Sequence, residues 1–322
     1  MDRENDKDSD YMGLLDKISF QPIFIMGLHR SGTSILYKML GETGHFNIVT
    51  AYHILKYDEL LSNYKHNLEK QVKNELGALF ESRGIKSRRI DHLPITPDFA
   101  QEYVYLFSKE KTPDTLSERN LILFKNLCKK IQHISNNKYP ILLKNPYDFP
   151  NFLYIKKQFA NAIFIFIHRN PLEVLSSTIR AWQILYKEKN PYTSLFSEGY
   201  KKSYDNPFIQ RIFRFYYSSK YPLALYSIIR YSTKATNMYL QNINQLQKEE
   251  FISITYENLC QKPNSVMGTI LDFLNMKSDI DFDAYIKPRK LAILPEVQRM
   301  KKRIGKKMNA YNEYFGYEKL FQ

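Results

Sequence analysis

Apolar residues along the chain fall into brief continuous runs separated by long stretches of amphipathic spacing. Ile23-Phe-Ile-Met26 and Ala162-Ile-Phe-Ile-Phe-Ile167 are uninterrupted and short, as expected of strands covered on both faces. Residues 46–50, 139–144 (stopped by Asn145-Pro146) and 251–255 read as three further strands. Between them the spacing becomes helical. A helix follows the first strand to about residue 40, where Gly41 or Gly44 can end it. Another spans 152–159. A third is entered by Asn170 as cap and Pro171 at the first position, with Glu173 three residues after the cap as its box partner. Residues 207–246 read as one long or broken helix, and an amphipathic helix runs from 255 to about 275. Residues 56–138 are helical and polar, broken around 91–97, and form a large insertion. Residues 186–206 read as loop-rich with many tyrosines, inside a helical region of about 186–246 expected on the acceptor side, and 1–17 read as a charged flexible tail. Strands alternating with helices predict a three-layer α/β/α domain over 18–322 with a central parallel sheet, ligands binding at the carboxyl ends of the strands.

Composition narrows this picture only a little. The chain has 322 residues, enough to bury a full core without staples. The charged start lacks a following apolar segment, so no export signal is expected, and no run is long enough to cross a bilayer. Cys128 and Cys260 are the only cysteines and have no metal-binding spacing, so the expectation is a reducing, cytoplasmic setting without disulfide or metal. A net charge of +14 suits a polyanionic partner, or reflects a lysine-rich habit. The densest basic cluster, 301–307, comes with no nucleic-acid module, and a nucleic-acid partner is not expected.

The first strand leads into Gly27-Leu-His-Arg-Ser-Gly-Thr-Ser34 and then a helix. Free backbone N–H groups and the helix dipole converge at such a turn and hold an anion. The spacing is that of a nucleotide-binding P-loop, except that Thr33 stands where lysine would reach a terminal phosphate. A triphosphate is therefore disfavoured, and Arg30 offers a cation in a different place. A second unit, Phe166-Ile-His-Arg-Asn-Pro-Leu-Glu-Val-Leu-Ser-Ser177, puts Arg169 at a strand end and Ser177 two turns into the next helix. An arginine and a hydroxyl suit a phosphate monoester. Two such seats suggest a nucleotide phosphorylated at both ends.

Together these stretches resemble the sulfotransferases that use 3'-phosphoadenosine 5'-phosphosulfate (PAPS), in the bacterial and carbohydrate branches. GLHRSGTS is similar to the family's 5'-phosphosulfate loop and HRNPLEVLSS to its 3'-phosphate motif. Ile254-Thr-Tyr-Glu-Asn-Leu259 is similar to the Y-E-[DN]-L segment, whose tyrosine lies near the adenine, and Lys144-Asn-Pro146 to a K-x-P segment. The resemblance implies a P-loop NTPase-like fold and transfer of a sulfuryl group to a hydroxyl or amine of a glycan, lipid or metabolite. It implies that His29, Arg30, Ser31, Gly32, Thr33 and Ser34 hold the 5' end, Arg169 and Ser177 the 3'-phosphate, and Tyr256 the base. Arg30 is implied to steady the leaving phosphate, without a metal. For the proton acceptor, His53 is the first candidate and Glu59 or Asp58 can substitute; Asp91, His92 and Glu102 follow. His92, Glu102 and Lys144 are also candidates for contact with the acceptor. His168, on a buried strand end, reads as structural. The rival readings are a P-loop kinase and a non-catalytic polyanion-binding protein.

Overall fold

The structure, a computed structural model, describes residues 6–88, 95–136, 138–221, 223–286 and 292–321. Five strands, β1 (Pro22–Met26), β2 (Asn47–Ile48), β3 (Ile141–Lys144), β4 (Ile163–His168) and β5 (Phe251–Thr255), form one parallel sheet in the order β2-β3-β1-β4-β5 flanked by helices. Parallel neighbours cannot be joined by tight hairpins, and here helical segments carry the connections between strands. β1, β3 and β4 are buried almost throughout, which explains their unbroken apolar runs. The chain gathers into two compact units, one made of residues up to 23, 40–145 and 190–201, the other of 24–39, 146–189 and 202–322.

In the first unit β2 pairs with β3, Asn47 opposite Ile141 and Ile48 opposite Leu142. The predicted insertion is helical, with helices at Ala51–Leu55, Leu60–Lys65, Glu69–Ser82, Val104–Lys109 and Leu121–Ile134. Tyr52, Leu60, Val72 and Leu76 form a buried cluster there. The expectation of a flexible tail over 1–17 is corrected for its described part. Ser9–Leu15 is a 3-10 helix, and Asp8 is fully buried, 2.7 Å from the equally buried Lys130 ammonium. Lys130 also donates to the Tyr57 carbonyl, and Asp8 accepts from the Ser62 N–H. A buried charge persists only with such a partner and full hydrogen bonding.

In the second unit β4 pairs with β5 from Phe164 opposite Phe251 to His168 opposite Thr255. Phe149, Phe152, Phe166 and Tyr239 pack as an aromatic cluster against β4. A second core joins the Pro171–Lys187 helix (Leu172, Leu175, Ile179), the Leu223–Asn242 helix (Leu225, Ile229) and the C-terminal residues Val297, Ile304 and Met308. The stretch 186–206, read as loop-rich within a helical region, is largely helical. The Pro171–Lys187 helix is followed by Pro191–Phe196 and Glu198–Asp205. Asn190 caps the first of these, its side chain accepting from the Thr193 N–H, with Pro191 in the first turn. Of the two readings of 207–246, one long helix or a broken one, the structure has the broken one, Pro207–Tyr216 and Leu223–Asn242.

Candidate functional site

The carboxyl ends of β1 and β4 and the start of the helix after β5 converge within the second unit. After β1 the chain turns sharply through Gly27–Gly32 into the Thr33–Glu42 helix. The turn requires unusual backbone at two points: Arg30 has φ 70° and Gly32 φ 104°. A Cβ on Gly32 would lie 2.3 Å from Cδ2 of Tyr256, and one on Gly27 would lie 2.6 Å from the Ile167 carbonyl oxygen. Glycine at both places therefore reflects close approach of β4 and of the Tyr256 ring, not flexibility alone. A left-handed arginine is strained by about 1–2 kcal/mol, which the surrounding packing must hold.

The Gly27–Ser34 and Arg169–Ser177 segments meet. Nε of Arg30 donates to Oγ of Ser177 at 3.1 Å, and a terminal nitrogen of Arg169 donates to the Arg30 carbonyl at 3.1 Å. Arg169 is nearly buried and held from further directions. Its Nε and other terminal nitrogen donate to Glu173 at 3.2 and 2.6 Å, and its guanidinium lies 4.1 Å from the centroid of the Tyr256 ring. Three of the five guanidinium N–H donors are thus engaged, and two remain for an anion. Burial pushes the Tyr256 hydroxyl up to about 12, so it stays protonated as a neutral donor. Glu173 corrects one expectation. The Asn170 side chain caps the helix by accepting from the Leu172 N–H, while Glu173 turns to Arg169 instead of closing a box.

The loop supplies further polar groups. Ser31 is buried, and its Oγ has no hydrogen-bond partner among the described residues. Thr33 is buried at the helix N-terminus, beside the more accessible Ser34. His29 meets the Tyr147 ring edge-on, centroids 4.4 Å apart. A buried hydroxyl at the N-terminus of the Thr33–Glu42 helix, with two arginines near it, suits an anion, so these residues fit a nucleotide carrying phosphate at both ends. His168 has the expected structural role. It is buried in an aromatic box, 4.0 Å from the Phe315 ring, with Nδ1 3.2 Å from the Tyr311 hydroxyl. Burial lowers its pKa to about 3.

Sequence reasoning missed Glu257, the neighbour of Tyr256. It accepts from the Asn170 N–H at 2.9 Å and from the Tyr317 hydroxyl at 2.7 Å. The signal available was its place inside the Tyr256–Leu259 match.

The remaining candidates lie in the first unit. His53 is buried in the first turn of the Ala51–Leu55 helix, where it forms a capping box with Thr50. Its Nδ1 accepts from the Thr50 N–H at 3.1 Å, so the neutral ring carries its proton on Nε2 and neither nitrogen offers a lone pair. Burial, reinforced by Lys73, lowers its pKa to about 3. The expectation that His53 is the base is therefore corrected: the ring is a cap. Glu59 is bound to Lys56 and Lys7 at 2.6 and 2.7 Å, and Asp58 to Lys109 at 2.8 Å. Lys144 is not a solvated strand end. It is 2 % exposed and 2.7 Å from Glu102, which also lies 3.9 Å from Arg88. Asp91 and His92 lie outside the described residues. Among the described residues no cluster could hold a metal ion, and no helix is long and apolar enough to cross a membrane.

Comparison with known proteins agrees with this geometry. The model of the sulfotransferase family matches residues 22–217, a stretch containing Arg30, Arg169 and Ser177. No curated protein matches the chain by sequence. Among solved structures, the fold is similar to sulfotransferase STF9 from Mycobacterium avium, with a TM-score of 0.61 and 16% identity over 95% of this chain and 80% of that one. It is also similar to sulfotransferase STF1 from Mycobacterium tuberculosis, with a TM-score of 0.55 and 12% identity over 93% and 80%.

Proposed function

Because the chain belongs to the sulfotransferase family, we propose that it transfers a sulfuryl group from PAPS to a hydroxyl or amine of a glycan, lipid or small metabolite. The observation that carries the reading is the junction of the two loops, Arg30 to Ser177 and Arg169 to the Arg30 carbonyl. It gathers two cations and the Ser177 hydroxyl in one place, which supports a seat for a nucleotide bearing 3'- and 5'-phosphates. Arg169, Ser177 and Tyr256 would hold the 3' side, and Ser31, Gly32, Thr33 and Ser34 the 5' side, with His29 at its margin.

PAPS supplies an activated sulfuryl group bound to a phosphate leaving group. Arg30, fixed at the turn, places positive charge where negative charge accumulates as that bond breaks, which lowers the barrier electrostatically. Ser177 positions the guanidinium by accepting from its Nε. Ser31 and the N–H groups that open the Thr33–Glu42 helix hold the phosphate without moving. A kinase reading is weaker because Thr33 occupies the lysine position of the loop.

Binding of adenosine 3',5'-bisphosphate, followed by thermal shift and calorimetry with ATP as the control, tests the seat. Labelled PAPS tests transfer. Arg30→Ala should reduce turnover by about 10²–10³-fold with modest loss of binding, whereas Arg169→Ala should chiefly weaken binding. Stronger stabilisation by ATP than by the bisphosphate, with Mg²⁺-dependent ATP turnover, would replace this reading with a kinase.

A further inference from the structure

We propose that the face built from residues 208–231 and 299–307 rests on a membrane surface bearing anionic headgroups. This goes beyond the transfer reaction and does not depend on it. The Pro207–Tyr216 helix has no buried residue. Its inward side is nonetheless fixed. Phe213 stacks on Tyr186 with centroids 4.7 Å apart, and Arg214 donates to the carbonyls of Tyr186 and Lys187 at 2.7 and 3.0 Å. Anchored in this way, the helix turns Phe208, Ile212 and Phe215 (at i, i+4 and i+7) to solvent, with 73%, 49% and 51% exposure. The apolar area continues beyond the helix. Phe215 contacts Tyr221 at 5.0 Å, and Leu223 and Tyr226 are also exposed. A continuous apolar surface left in water marks an interaction site.

Charge names the occupant. From 206 to 248 the chain has no Asp or Glu, yet carries Arg211, Arg214, Lys220, Arg230, Lys234 and Lys248. Residues 297–312 likewise lack acid and carry Arg299, Lys301, Lys302, Arg303, Lys306 and Lys307. The two segments join on one face. Ile304 is buried in the core with Leu225 and Ile229, the Arg303 guanidinium lies 5.1 Å over the Tyr226 ring, and Arg299 reaches the Ser219 carbonyl at 3.5 Å. An apolar stripe flanked by cations is the design of a helix lying in a bilayer interface, with aromatic and aliphatic groups inserted and arginines at headgroup level. Ile212 and Leu223, among the exposed aromatics, make the stripe aliphatic as well as aromatic, which suits acyl chains. A second copy would bring two equally cationic faces together.

Flotation of the full chain with vesicles tests the proposal. Vesicles of phosphatidylcholine containing about 30% phosphatidylserine should carry the protein, and phosphatidylcholine alone should carry at least about tenfold less, since each cation near the surface contributes about a fivefold factor. Phe208→Ser/Ile212→Ser/Phe215→Ser should abolish most of the binding while leaving the melting temperature and the bisphosphate-induced shift unchanged. Lys302→Glu/Lys306→Glu should weaken binding tenfold or more and flatten its salt dependence. Absence of flotation, equal binding to neutral vesicles, or binding that survives the triple substitution would each overturn the proposal. Sedimentation showing a dimer that the triple substitution dissociates, without vesicle binding, would assign the face to a second copy.

Discussion

The two buried histidines provide a test whose magnitude scarcely depends on how deeply each pKa is lowered. His53 and His168 both sit near 3 in the folded chain because burial disfavours the cation, and both return to about 6.5 on unfolding. A lowered histidine pKa means that below 6.5 the unfolded chain binds the extra protons, so stability falls as pH falls. At about pH 5 each group has then lost about 2 kcal/mol relative to pH 7.5, and any native pKa below about 4 gives nearly the same figure. The sum is about 4 kcal/mol. Unfolding entropy near 2.1 cal/mol/K per residue makes this a fall of about 6 °C in melting temperature for a chain of this length. The assay is a thermal melt by circular dichroism at several pH values between 7.5 and 5, for the natural chain and for His53→Gln/His168→Gln. Glutamine retains the third-position role of a capping box. The double substitution should melt lower at neutral pH but show a much shallower acid slope. A natural chain whose melting temperature is flat over this range, or a slope unchanged by the double substitution, would refute the assignment of both rings as neutral and structural. An unshifted His53 would also return it to the pool of bases.

Three further outcomes are expected. Gly32→Ala, which combines positive φ with a Cβ 2.3 Å from Tyr256, should cost about 2–4 kcal/mol shared between melting temperature and bisphosphate affinity; unchanged values of both in melts and calorimetry would show that the ring can yield. Lys130→Met leaves Asp8 buried without its ion-pair partner, and denaturant titration should show a loss of about 3–5 kcal/mol. Asp8→Asn/Lys130→Met should recover part of that loss. Tyr317→Phe removes the 2.7 Å bond to Glu257 and should lower stability by about 1–2 kcal/mol in the same titration, with a weaker bisphosphate-induced shift.

What the sequence revealed was what neighbouring residues decide. The Gly27–Ser34 turn and the Arg169–Ser177 unit are each contained in one strand-turn-helix segment, so spacing alone exposes them. The short Pro191–Phe196 helix was equally local, since Asn190-Pro191 is a cap and first-turn signal, but the many tyrosines of 186–206 made the stretch read as loop-rich. Two partnerships were out of reach. Asp8 looks like part of a polar tail until Lys130, far along the chain, closes on it. Glu173 fits two local roles equally, cap partner or counter-ion of Arg169, and sequence spacing cannot choose between a backbone N–H and a guanidinium on adjacent turns. His53 was misassigned for a related reason. Its place after a strand suits a base, but the Thr50–His53 box that engages its nitrogen is a matter of side-chain rotamer.

The support of Arg169 shows why the seat extends past the matched stretch. The family match ends at 217, yet Tyr256 stacks on Arg169 and Glu257 holds the Asn170 N–H immediately after it. Glu257 is in turn fixed by Tyr317, and Tyr311 lies against His168 immediately before Arg169. Residues on either side of Arg169 are thus pinned by the C-terminal segment, which the sequence reading treated as a basic tail. Under the proposed function, an Arg169 guanidinium held in this way meets a phosphate with its orientation entropy already removed during folding and not during binding.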